Sequence, residues 1–526
     1  MKKDPSYKYV PIDPWEDHDW ERIMKKYLPE QQQRTRGREQ EGGLVKNDTL
    51  LVLANPFFMG SRKSHYTSAR WWVRFVEKCA QQTDVHSYGC VRMIAFMPQH
   101  EAEIILPRSV RDRRGPSLMT EAFTSNVFEV ASANEVGEWV TRKPYSLIMK
   151  EMTRVAERAA ESGVVTPAGR ERRPIACIPE EYQCLHKGTR HVPLPMYGQA
   201  AALVAILSAP ETARNTNAKK GLTRHTLASK ARRLEGAMEL VEHREKIDEF
   251  SKILARRAAD PKVDLSELKE LNSKISSMRS FSGGDHDDKL LKLRKEYGKL
   301  KPAEILYDGI RAAGDFDNAV LLHERRPFEP LQIDPEEVFP TQVPSSIIYF
   351  EADLNSSLAQ KIKQTPAEPP SDRDDLISMM DALLPSLLSS TERTIPKLFE
   401  LLFPTRPVND IVRVIPGLAK FAGSKTLKPD FEHLPKTIIP DPYDKEVAVT
   451  AGKEFIPDPA ASFQENIDYD FTEIRVRVLP VHIMIDILLE YQKLPVKLPM
   501  IPLVRHLGGA VTSPVATTSV FTGRKW

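Results

Sequence analysis

The apolar positions of the chain follow two different periods. Over about the first 135 residues short apolar runs alternate with amphipathic stretches. They run from strand-like Tyr7 to Ile12 through a helix around Trp20 to Tyr27, strand-like Thr49 to Ala54, an aromatic helix from Thr67 to Ala80, an apolar run from Val91 to Met97 and a helix from His100 to Leu106. Strands alternating with helices predict an α/β unit. The runs Leu50 to Leu53 and Arg92 to Phe96 predict buried, parallel strands, since a strand covered on both faces loses its polar alternation.

From His225 the period becomes helical. Leu227, Ala231, Leu234, Met238 and Val241 recur at spacings of four and three, and Leu268, Leu271, Ile275 and Met278 repeat the pattern, as do Leu290, Leu293, Tyr297 and Leu300. Breaks at Asp260-Pro261 and Gly283-Gly284 predict antiparallel helices packed on one another, with a partner-binding arm as the alternative. The stretch 136–224, rich in Pro, Arg and small residues, predicts a partly ordered insertion. Beyond Tyr307 a strand is predicted from Ser345 to Phe350, then helices from Asp375 to Leu388, Ile395 to Phe403 and Val481 to Tyr491. Gln364 to Asp374 is expected to be a surface loop, Leu427 to Pro459 is weakly patterned, and the residues after Gly508 are expected to be loose. The expected divisions are 1–135, an insertion at 136–304, a return to the sheet at 305–360 and a helical domain at 361–526.

A chain of 526 residues with 41% hydrophobic content can bury a sizeable core. Its 75 Lys and Arg against 72 Asp and Glu give a formal charge of only +3, so a polyanionic partner must be met by local clusters. Three exist: Arg108, Arg111, Arg113 and Arg114; Arg170, Arg172 and Arg173; and the run from Lys219 to Arg233. Such groups can neutralise phosphates, although most charge runs are solvated faces. The four cysteines have no CxxC spacing, and Cys177, Cys184 and His186 fit no common zinc pattern, so neither a disulfide framework nor a metal is expected. Met196 to Ala209 is closed off by prolines and Val478 to Leu489 is interrupted by Pro480 and Asp486, so no membrane partner is expected. The first residues look like neither a signal peptide nor a presequence, and the chain is expected to begin inside a domain.

The residues with most chemistry are Asn55-Pro56-Phe57-Phe58, just after a predicted strand. The lone pair of an exocyclic base amine is delocalised into the ring and is a poor nucleophile. An Asn side-chain carbonyl and the next backbone carbonyl can each accept one amine hydrogen, favouring a more tetrahedral nitrogen. In this reading Asn55 and the Pro56 carbonyl are the acceptors and Phe58 stacks on an extruded base, for about 1–3 kcal/mol. As a lone tetrapeptide the motif is also an ordinary turn after a strand.

The neighbouring segments carry a family resemblance. His65-Tyr66-Thr67-Ser68 opens a helix, Arg92 to Ala102 forms a strand followed by a Gln-x-Glu helix, Ser117-Leu118-Met119-Thr120 follows, and Phe339-Pro340 and Val343-Pro344-Ser345-Ser346 make a Pro-rich turn before a last strand. Together with the tetrapeptide these resemble the rRNA adenine N6-dimethyltransferase family. Arg325 to Pro330 and the long helical insertion are similar to its fungal mitochondrial branch, which includes mitochondrial transcription factor B. Leu402-Phe403 with Arg406 resembles the start of that family's small C-terminal domain, which grips nucleic acid. The resemblance covers about 1–135 and 305–420.

It implies an incomplete Rossmann-like methyltransferase sheet with a long helical insertion and a helical C-terminal domain, an S-adenosylmethionine cofactor, and an rRNA substrate in mitochondria. The alternative it implies is a mitochondrial transcription initiation factor that holds melted promoter DNA and contacts the mitochondrial RNA polymerase without catalysis. The sequence departs from the family where the cofactor binds. No Gly-rich turn follows a strand before Asn55, where Gly37, Gly42 and Gly43 all lie in a polar loop. Asp13, at the place of the family's third motif, is the one cofactor contact the resemblance nominates.

Overall fold

The computed structural model describes residues 9–10, 20–31, 44–56, 67–124, 126–133, 143–172, 246–247, 249–257, 259–260, 266, 268, 270–271, 301–338, 343–365, 371–390, 392–431, 434–450, 452 and 454–509. The chain divides into two compact units. One comprises 1–131, 320–326 and 343–526, the other 132–319 and 327–342. Residues 305–319 thus go with the second unit, and 361–526 share the first with the sheet.

The first unit is α/β with a mixed sheet. Its strands are β1 (Lys46–Ala54), β2 (Cys90–Pro98), β3 (Asn126–Ala133, which runs into the second unit) and β5 (Ser345–Glu351), with β4 (Leu331–Ile333) counted in the second unit. They stand in the order β1, β2, β5, β3. β1 pairs with β2 in parallel, from Lys46 opposite Cys90 to Ala54 opposite Ala95, with an irregularity between Asn47 and Leu51. β5 is antiparallel to β2, with Met93 opposite Phe350 and Pro98 opposite Ser345. The pairing expected for Leu50 to Leu53 is present, but their expected burial is not. Among the described residues β1 is an edge strand, in which Leu51 and Leu53 are 49% and 69% exposed. Its apolar run covers one side only. Tyr9 and Val10, expected in a strand, are not in one.

Helices α1 (Trp20–Tyr27), α2 (Ser68–Gln81), α3 (Gln99–Ile105) and α4 (Gly115–Phe123) lie where the 3.6 period puts apolar stripes or in the segment after Pro107. α2 buries Trp72, Val76 and Cys79 on one stripe, and the Trp72 indole donates to Thr120 Oγ1 on α4 at 2.9 Å. Trp72 and Phe75 meet the edge of Phe350 from β5 at ring separations of 5.6 and 5.4 Å, which ties helix to sheet.

In the second unit, α5 (Tyr145–Glu161) lies inside the stretch expected to be partly ordered. Ile148 and Val155, seven residues apart, are buried, and Lys143 and Glu151 form a buried ion pair at 2.8 Å. The described positions 246–257 and 301–313 are helical, and Ile247, Phe250, Leu268 and Leu306 share a small core. The expected repeats at 227–241 and 290–300 lie outside the described residues.

The rest of the first unit is mostly helical: α6 (Ser357–Gln364), α7 (Ser371–Leu387), α8 (Ile395–Leu402), α9 (Val408–Val414), α10 (Pro442–Thr450), α11 (Val481–Gln492) and α12 (Met500–His506). α7 starts inside the expected loop Gln364 to Asp374. Two small antiparallel pairs form, β6 (Ser424–Leu427) with β9 (Ile467–Asp470) and β7 (Ile438–Ile439) with β8 (Phe463–Gln464), and of these strands β7 and the last residue of β6 fall in the region of weak pattern. Ile377, Leu384, Leu398 and Ile487 join the hydrophobic core that also holds Met93 and Phe350, so helices and sheet share one interior.

Candidate functional site

β1 ends at buried Ala54 and is followed by exposed Asn55 and buried Pro56. The chain re-enters the described structure at Thr67, whose side chain caps α2 by accepting from the Arg70 amide. Ser68 Oγ donates to the Pro56 carbonyl at 2.9 Å, and the Ala69 amide donates to Glu101 Oε2 at 3.0 Å. Glu101 lies on α3, directly after β2, and the Gln99 amide donates to the Pro344 carbonyl at 2.9 Å. The carboxyl ends of β1 and β2, the start of α2 and the turn before β5 are thereby tied together. In an open α/β sheet, ligands collect at the carboxyl ends of the parallel strands.

At that rim Asn55 presents an exposed amide, with one carbonyl acceptor and two N–H donors. His100 is also exposed, its Nε2 lying 3.8 Å from Glu101 Oε1. The Pro56 carbonyl already takes the Ser68 hydroxyl in a buried bond and keeps one lone pair. Phe58, the expected stacker, and Asp13, the expected cofactor contact, lie outside the described residues, as do Phe57, His65 and Tyr66.

The first arginine cluster is split by the fold. Arg108 is buried, with Nη2 on Glu129 Oε2 at 2.5 Å and Nη1 facing the His323 ring, and Glu129 also accepts from Ser346 Oγ at 3.1 Å. Arg113 is buried in a two-point pair with Glu121 and donates to the carbonyls of Arg477 and Leu479 at 2.7 and 2.8 Å. These two were expected on a phosphate surface, but their charge is spent inside the protein. Arg111 is half-buried and Arg114 is exposed, so they alone of that cluster face solvent. Arg406 is partly exposed and pairs with Glu490 at 2.6 Å. In the second unit Arg170 pairs with Glu337 and Arg172 with Glu329, at 2.6 and 3.1 Å, while Arg173 and the third cluster lie outside the described residues.

Sequence reading missed a small cleft beside the opposite end of β2, lined by Trp20, Trp71, Arg74, Phe75 and His86 among others. Burial lowers the pKa of His86 to about 3, and its Nδ1 accepts from the Val91 amide at 3.1 Å, so the ring is a neutral strut. Phe75 packs edge-on against it at 4.5 Å. Among the described residues no group of three or more His, Cys, Asp or Glu side chains is placed to hold a metal, and Cys79 and Cys90 are free buried thiols.

Among the described residues β1 is the edge of the sheet, and Asp13, the nominated contact for S-adenosylmethionine, lies outside them. Comparison with known proteins found no matching family model, no matching curated protein and no matching solved structure.

Proposed function

We propose that this chain is a nucleic-acid-binding protein of the rRNA adenine N6-dimethyltransferase family, in its fungal mitochondrial branch, and that it holds an unpaired adenine at Asn55 to Phe58. The observation that carries the reading is the position of Asn55: an exposed amide at the carboxyl end of a parallel strand, next to Pro56, whose carbonyl is held by Ser68 at a helix start that Glu101 also bonds. The strand order β1, β2, β5, β3, with β5 reversed against β2, is compatible with the distal half of a Rossmann-like methyltransferase sheet. Asn55 and the free lone pair of the Pro56 carbonyl would accept the two N6 hydrogens, and an aromatic ring from the tetrapeptide would stack on the base.

The reading is tested with a single-stranded RNA carrying 2-aminopurine in place of one adenine. Extrusion from the stack should brighten the probe on binding, and Asn55→Ala with Phe58→Ala should weaken binding about tenfold or more. Equal affinity and brightness in the double variant would remove the tetrapeptide from recognition.

Two features favour holding the base without reacting with it. The Pro56 carbonyl shares its two lone pairs with Ser68, and no Gly-rich turn follows a strand before Asn55 in the sequence. This is the second reading: a mitochondrial transcription initiation factor that keeps the fold to grip melted promoter DNA and to contact the mitochondrial RNA polymerase. Promoter-dependent run-off transcription with purified polymerase should rise on adding the protein. No stimulation would return the assignment to rRNA methylation, which requires S-adenosylmethionine to bind the chain in calorimetric titration.

A further inference from the structure

The densest run of exposed apolar side chains in the described protein lies far along the chain from Asn55. Between Leu494 and Leu503, Val496 is 88% exposed, Leu498 41%, Met500 42% and Ile501 48%. They project because the backbone is held rather than because the segment is unanchored. Pro495, Pro499 and Pro502 restrict it, the Leu498 amide donates to the Tyr491 hydroxyl at 2.8 Å, and Lys497 Nζ reaches the Gln492 carbonyl. On the inner side Leu503 and Val504 of α12 and Leu507 just after it are buried and fix the segment to the core.

Along the chain, the charges that follow Glu490 and flank this ridge have one sign. From Tyr491 to Trp526 the sequence holds five Lys or Arg and no Asp or Glu. Of these, Lys493, Lys497 and Arg505 flank the apolar run and are exposed, as is His506. The nearest acid along the chain, Glu490, is taken up by Arg406 and Lys493 at 2.6 and 3.0 Å. Apolar tips flanked along the chain by exposed cations complement a surface that offers negative headgroups above hydrocarbon.

We propose that the ridge Val496–Ile501, with Lys497 and Arg505, is a docking site for an anionic phospholipid surface. The contact is peripheral, since no helix among the described residues is long and apolar enough to cross a membrane. It revises the expectation of no membrane partner, which rested on spanning alone. The prolines lower the ordering cost of binding, and the apolar tips enter the headgroup boundary while the cations stay at phosphate level.

The test is co-sedimentation of the full chain with vesicles of phosphatidylcholine alone and of phosphatidylcholine mixed with phosphatidylglycerol. Binding is expected only to the mixed vesicles and should weaken on adding salt. Lys497→Glu with Arg505→Glu should lower partitioning by about tenfold or more, and Val496→Asp with Ile501→Asp should lower it independently. All four side chains are exposed, so unchanged melting and circular dichroism confirm that each variant folds. No binding to the mixed vesicles, equal binding to both kinds, or full binding by either folded variant overturns the proposal. So does finding that the wild-type ridge mediates self-association, lost in the aspartate variant, with no vesicle binding.

Discussion

At the residue scale the chain takes several charges into its interior and satisfies them there. Arg113 makes four hydrogen bonds in a buried position, two to Glu121 and two to backbone carbonyls. Removing it strands both the carboxylate and the carbonyls. Arg113→Ala should therefore cost about 3–5 kcal/mol in urea denaturation, whereas exposed Arg114→Ala should change stability by under about 0.5 kcal/mol. Glu77 on α2 behaves oppositely. Burial, with the Asp381 carboxylate nearby, pushes its pKa up to about 8, and burial raises Asp381 to about 6. The folded protein keeps a proton on Glu77 that the unfolded chain loses near pH 4.5, so the contribution of this group to stability is full below that pH and is lost as pH rises toward 8. Glu77→Gln should leave the melting temperature almost unchanged at pH 4 and raise stability by about 1 kcal/mol or more at pH 8. A parallel displacement at all pH values would show that the carboxyl does not titrate in this range. None of this was legible in the sequence, where Arg108 and Arg113 look the same as Arg111 and Arg114. Which arginine turns inward depends on Glu129 and Glu121 arriving from other elements.

At the element scale the regular parts were readable and the irregular ones were not. α2, β2, β5, α8 and α11 follow their periods closely, because each buries a stripe or a face in one core. The exposure of β1 was not readable: the run Leu50 to Leu53 is apolar throughout, and edge position is set by which strands are neighbours. Leu53→Lys should accordingly leave stability within about 0.5 kcal/mol of wild type while reducing aggregation in light scattering. β6 to β9 have two to four residues each, too few to show a period. The start of α7 had a usable signal, since Ser371-Asp372-Arg373-Asp374 after two prolines has the composition of a helix N-terminus. α5 had one too, in the spacing of Ile148 and Val155. Of the candidate site, Asn55 and its strand were legible from the tetrapeptide, but the bracing by Ser68 and Glu101 was not, because it joins residues 12 and 32 positions apart.

At the scale of the whole molecule, a net charge of +3 and the inward turn of Arg108 and Arg113 limit long-range attraction to nucleic acid. Two contacts from Arg111 and Arg114 would give a slope of log affinity on log salt near −1.4 for single-stranded RNA, against about −2.8 for four. Filter binding across a salt series distinguishes these values. The strand order has a further consequence for how the protein is made. β5 fills the place between β2 and β3, yet it leaves the ribosome about two hundred residues after β3. At roughly 5–20 residues per second, the gap stays open for about 10–40 seconds during each round of synthesis. Two unsatisfied strand borders wait through that interval, which makes the nascent chain a natural client for a chaperone that shields backbone until translation delivers the missing piece.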